Sequence, residues 1–158
     1  MYAVQFMPND NFGFVFKTRC VVPKAWTHKE CFEKYGTVPR NPRWSWSGRS
    51  PDGRVVSVTF WQDQFEAKGS IYRSSTQTKD NKWVGSPGHN ELLENLAWAR
   101  DNCDGEIRII VAIAKDTKAS PRSIKECFPA EGLKMRISYL NYITGDFVAE
   151  RIDTERKK

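Results

Sequence analysis

The chain has 158 residues, a size at which roughly 70% of the unfolded surface can be buried, so neither disulfides nor a structural metal is required for folding. Hydrophobic residues make up 39% and aromatics 13%, with six Trp and nine Phe, which excludes a disordered chain. The net charge is +6, with nine Lys and Arg against four Asp and Glu in residues 1–54, six against eight in 55–114, and ten against seven in 115–158.

A basic surface at both ends of the chain favours polyanions, nucleic acid first among them. Residues 1–10 lack a basic segment followed by an apolar run, and no stretch reaches the ~18 apolar residues of a membrane span. Cys20, Cys31, Cys103 and Cys127 follow no disulfide or metal-ligand spacing. The expectation is one soluble domain over residues 1–158, in the cytoplasm, with reduced thiols and no membrane contact.

In chain order, residues 12–22 are rich in Phe and Val and predict a strand. Phe12-Gly13-Phe14-Val15 lacks the basic residue and glycine that an RNA-recognition motif places before its aromatic pair, and is assigned to the core. Thr27 as N-cap and Glu30 at the capping-box position predict a short helix over 27–35. Residues 69–83 are polar and predict a loop, with a short strand at 71–73. Ser86-Pro87-Gly88 punctuates the chain before a helix over 90–102, where Leu92, Leu93, Leu96, Ala97, Ala99 and Cys103 recur at helical spacing and Gly105 supplies the stop. The apolar run 107–114 predicts a strand covered on both faces. Ser120-Pro121-Arg122 predicts an N-cap opening a turn of helix towards Cys127. Residues 133–140 and 147–152 predict a hairpin around 141–146, with Gly145 available for positive φ.

The most informative stretch joins Arg43-Trp44-Ser45-Trp46-Ser47-Gly48-Arg49 to Arg54-Val55-Val56-Ser57-Val58-Thr59-Phe60-Trp61 through Ser50-Pro51-Asp52-Gly53. A three-residue loop with a bulge pairs Ser50 with Arg54. That register sets Trp46 against Val58 and Trp44 against Phe60 on an apolar, core-facing side. It leaves Arg43 and Arg49 on the opposite side with hydroxyls and an exposed Trp61, a surface suited to phosphate contact and base stacking. Lys118 and Arg122 form a second basic site at the 118–123 loop.

Other chemistry is less well supported. Pro51-Asp52 with Glu66-Ala67-Lys68 matches the metal-nuclease pattern, in which Asp and Glu hold Mg²⁺ and Lys assists. The strand 54–61 should carry Glu66 roughly 25 Å from the turn, too far for one metal. His28 and Cys31 lack a complete zinc set, and His89 is followed by the opposing charges of Glu91 and Glu94.

The expected fold is therefore α+β, an antiparallel-rich curved sheet or small barrel of about six strands on one main helix, 90–102. The expected function is a non-catalytic nucleic-acid-binding module, DNA before RNA, that reads an unstacked or modified base. Arg40, Arg43, Arg49, Arg54, Lys118 and Arg122 would take phosphates, and Trp61 and Trp83 would stack. No metal or cofactor is expected. The alternatives are a Mg²⁺-dependent nuclease using Asp52, Glu66 and Lys68, and a protein-interaction or inhibitor domain.

Overall fold

A computed structural model of the chain describes residues 4–7, 15–18, 24–74, 85–119 and 122–152, the first two segments as backbone alone. Among these residues nine strands and two α-helices form. β1 (Val4–Met7) and β2 (Val15–Thr18) pair antiparallel as a separate two-stranded sheet. The strand expected over 12–22 is thus described only at 15–18, and Phe12, Gly13 and Phe14 lie outside the described residues.

Helix α1 (His28–Lys34) is opened by the capping box expected from its sequence. The Thr27 hydroxyl accepts from the Glu30 backbone N–H and the Glu30 carboxylate accepts from that of Thr27, satisfying two of the orphan donors of the first turn. Helix α2 (Pro87–Asn102) begins three residues before the predicted start. Ser86 is its N-cap and Pro87 stands at the first helical position, where its missing N–H costs nothing. Asp104 and Gly105 then take positive φ to end the helix.

The main sheet has seven strands: β3 (Ser47–Arg49), β4 (Val56–Trp61), β5 (Phe65–Glu66), β6 (Ile71–Arg73), β7 (Glu106–Ala114), β8 (Ile124–Asn141) and β9 (Asp146–Arg151). Their spatial order is β3-β4-β7-β8-β9-β6-β5. Only β4 and β7 run parallel, joined by a crossover that contains α2. Five strand spacings of ~4.8 Å would set β4 and β5 about 24 Å apart in a flat sheet. Yet only residues 62–64 connect Trp61 to Phe65, a reach of at most about 14 Å. The sheet therefore curls strongly, and the Tyr72 hydroxyl of β6 accepts from the Trp61 backbone N–H of β4 at 3.1 Å. It stays open, because its two edge strands, β3 and β5, do not pair with each other; on its outer side β3 is met, among the described residues, only by a single bridge, Val38 to Arg49. This corrects the barrel alternative and the count of about six strands.

Alternation decides what each face buries. Val56, Val58 and Phe60 on β4 and Ile107, Ile109 and Val111 on β7 point into the curl, where Leu92, Leu96 and Ala99 of α2 meet them. Phe60 stacks on Tyr72 with centroids 3.8 Å apart, and Phe65 and Phe147 pack around them. The outer face presents Ile110, Ala112 and Ala114, which with Cys127 and Trp61 are covered by Cys31 and Phe32 of α1. Strand β7 is thus covered on both faces, as its unbroken apolar run implies. The expectation of one main helix is incomplete, since α1 packs on the sheet as well. Residues 124–127 belong to β8, so no helix runs from Arg122 towards Cys127; Ser120 and Pro121 lie outside the described residues.

The 47–58 hairpin differs from the sequence expectation by one residue. Ser47 opposes Val58, Gly48 opposes Ser57 and Arg49 opposes Val56. The Ser50 hydroxyl accepts from the backbone N–H groups of both Arg54 and Val55, and Asp52 also accepts from Arg54. Arg54 is thereby held in the loop, and Ser50 pairs with Val55 instead. Such a slip turns every β3 side chain to the other face. Helix α2 makes this tolerable by supplying polar partners: Asn95 donates to Ser47 at 2.8 Å, and Ser45 donates to the buried Glu91 carboxylate.

Candidate nucleic-acid interface

Trp61 ends β4 and Ala114 ends β7, so the loops leaving these two parallel strands emerge side by side, the position where open sheets hold ligands. One loop carries Asp63 and the other carries Arg122. The guanidinium donates to both Asp63 oxygens, at 2.7 and 2.9 Å, and to the Thr117 carbonyl at 2.8 Å. Hydrogen bonding to Asp63 raises the Arg122 pKa beyond its ordinary value. The same guanidinium lies 5.1 Å from the centroid of Trp61, a cation–π contact that joins both loops to the sheet.

Trp46 stands immediately before β3, with its carbonyl accepting from the Thr59 backbone N–H. Its half-buried indole lies 5.1 Å from Trp61, tilted at 46°, and 5.8 Å from the His28 ring. His28 opens α1 and hydrogen-bonds through Nε2 to the Thr59 hydroxyl at 2.8 Å. Burial lowers its pKa to about 4, so the imidazole is neutral at pH 7. The outcome is a partly open indole, a second indole beneath a fixed cation, and a neutral imidazole between strand and helix. This set can stack on a planar ring and offer it hydrogen bonds without placing an unpaired charge against it. Behind it, Cys31 and Cys127 are buried with sulfurs 3.8 Å apart; the hydrogen bond to Cys127 and burial push the Cys31 thiol up, while that bond lowers Cys127.

Of the phosphate and stacking residues expected from sequence, the structure brings together Trp61 and Arg122. Trp61 is not the open ring expected, being 8% exposed beneath Arg122. Arg49 faces α2, with its Nε donating to Asn95 and its guanidinium 4.3 Å from Trp98, on the opposite side of the sheet from Trp61. Arg40 is ion-paired with Glu94 on α2. Arg43 is exposed in the 41–44 turn, Arg54 in the hairpin loop and Lys118 in the 115–119 loop. Trp83 lies outside the described residues. The surface expected to unite Arg43 and Arg49 with Trp61 therefore does not form, because the one-residue slip turns Arg49 towards α2. Trp44 is likewise not core: it is 37% exposed, and Trp46 packs on the outer face instead of opposite Val58.

Asp52, Glu66 and Lys68 do not converge. The Asp52 carboxylate is engaged with Ser50 and the Arg54 backbone in the turn before β4, whereas Glu66 lies beyond the far end of β4, bonded to Arg73. Among the described residues no group of three or more His, Cys, Asp or Glu is placed to hold a metal ion. No helix among them is long and apolar enough to cross a membrane.

Sequence reasoning missed Trp46, His28, Thr59 and Asp63. The available signal was the alternative hairpin register, which puts Trp46, Thr59 and Trp61 on one face. A scan of protein-family models and searches of curated proteins and of solved structures find no match to this chain.

Proposed function

We propose that the chain is a non-catalytic nucleic-acid-binding module, for DNA before RNA, which receives an unstacked base, plain or modified, against Trp46 beside Trp61 and His28. One observation carries the reading: a half-buried indole stands against a cation-capped indole where the two parallel strands end. Stacking on an aromatic face accepts any base, and a basic protein of charge +6 attracts the backbone that brings the base in. Arg122 serves in this reading by holding Trp61 in place, since Asp63 and Thr117 already engage its donors. Exposed Arg43, Arg54 and Lys118 are the backbone contacts retained from the sequence.

The test is a titration of labelled single-stranded and duplex DNA, and of matching RNA, at salt between about 50 and 200 mM. Engagement of three phosphates gives a slope of log affinity on log salt of about −2.7 for duplex. Binding that is undetectable for all four probes, or that ignores salt, removes the reading.

A second reading has its own observation. The end of β8 and the turn into β9 expose Tyr139 at 51%, Tyr142 at 50% and Ile143 at 92%, apolar side chains suited to a protein partner. A stable partner retained at high salt and lost in Ile143→Asp supports it; retention in that variant rejects it.

A further inference from the structure

Register places Gly48, Ser57, Arg108 and Lys134 in one row across β3, β4, β7 and β8, on the outer face that also carries Trp61. Arg108 and Lys134 are direct cross-strand partners, so two cations stand opposite each other, both half-buried. Like charges in that relation destabilise a sheet. Of the neighbouring carboxylates, Glu131 is paired with Lys34 at 3.3 Å and Glu66 with Arg73, while Glu106 and Glu150 stand opposite Arg136 one rung further on and neither makes an ion pair with Arg108 or Lys134. Among the described residues neither Arg108 nor Lys134 makes an ion pair or a side-chain hydrogen bond. Arg108 lies close enough to Tyr35 to act on its ionisation, and the Tyr35 hydroxyl is itself engaged, donating to the Ile109 carbonyl at 3.0 Å. An anion laid across the pair would relieve the repulsion and accept from both donors at once.

We infer that Arg108 and Lys134 form a phosphodiester-binding pair for the strand whose base enters beside Trp46, an inference that rests on the proposed function. Trp46 bonds to Thr59, two residues along β4 from Ser57, the rung of Arg108, which at ~3.3 Å each is about 7 Å. Because α1 covers the outer face between the two sites, with His28 at Thr59 and Tyr35 at Ile109, the strand that joins them passes around α1.

The test uses Lys134→Glu, which converts the repulsive pair into an attractive one. It should fold at least as stably as the parent yet bind single-stranded DNA about tenfold or more weakly, with the salt slope shallower by roughly 1.4 for two lost phosphates. Quenching of indole fluorescence at saturating DNA should persist, because the stacking site is untouched. The double variant Arg108→Gln/Lys134→Gln should show the same reduction in slope and covers failure of the first to fold. If the parent binds DNA and either folded variant keeps its affinity and slope, the inference is overturned while the proposed function stands. If the parent binds no nucleic acid, both fall.

Discussion

Among the described residues two indole–guanidinium pairs lie on opposite sides of the sheet, and they differ in their surroundings. On the α2 side Arg49 covers Trp98 at 4.3 Å, with Asn95 taking the Arg49 Nε–H and the Gly53 carbonyl taking the Trp98 indole N–H at 2.8 Å. On the α1 side Arg122 covers Trp61 at 5.1 Å, but there a half-buried Trp46 and the neutral His28 extend the aromatic surface. The first pair fastens a helix to a hairpin turn. The second ends in a ring with solvent on part of its surface. A cation over an indole is thus no sign of a binding site in itself; what distinguishes the two is whether a further aromatic surface is left open beside it.

That contrast predicts separable effects. On the α2 side substitutions act on stability. Glu91→Ala leaves the Ser45 hydroxyl and the Arg40 backbone N–H without their buried acceptor, and should cost about 2–4 kcal/mol in urea unfolding. A loss below half that would mean that water reaches the α2 interface and replaces the lost acceptor.

The α1 side should show itself through pH. His28 has its folded pKa depressed to about 4 from 6.5, so the unfolded chain takes up its proton first as pH falls. Stability from this group is complete above pH 6.5 and declines down to about pH 4, by on the order of 3 kcal/mol. His28→Gln should flatten that part of the profile; an unchanged decline would assign it to other groups, His89 among them, whose pKa burial also lowers.

For binding, Trp46→Ala should weaken single-stranded DNA by about 1–3 kcal/mol, the range for one lost base stack, with a smaller effect on unfolding. The matching change on the other side, Arg49→Met, should cost about 1 kcal/mol of stability and leave affinity within twofold. Equal losses of affinity in the two variants would erase the distinction between the sides.

How far the sequence carried this picture differs from element to element. Helix α1 was legible because Thr27 and Glu30 state their cap locally, and β7 because an unbroken apolar run of strand length needs cover on both faces. The hairpin was located correctly but misregistered. Its loop length turns on the Ser50 hydroxyl bonding two backbone N–H groups, and its buried serines are admissible only because Glu91 and Asn95, more than forty residues away, receive them. Trp46 was hidden by the same slip. A curved sheet was expected, but the way it curls was beyond local pattern, since that depends on how β5 and β6 return to β4 through Tyr72. Of the site, the pairing of Trp61 with Arg122 depends on the parallel placement of β4 and β7, which the crossover through α2 creates.

The most direct measurement follows the indole N–H resonances by ¹⁵N–¹H correlation during titration with single-stranded DNA. The resonances of Trp46 and Trp61 should shift together and saturate with the binding curve, while that of Trp98, bonded to Gly53, stays in place. Movement of Trp98 with Trp46 and Trp61 unmoved, or no movement in any of the three at saturation, contradicts the account.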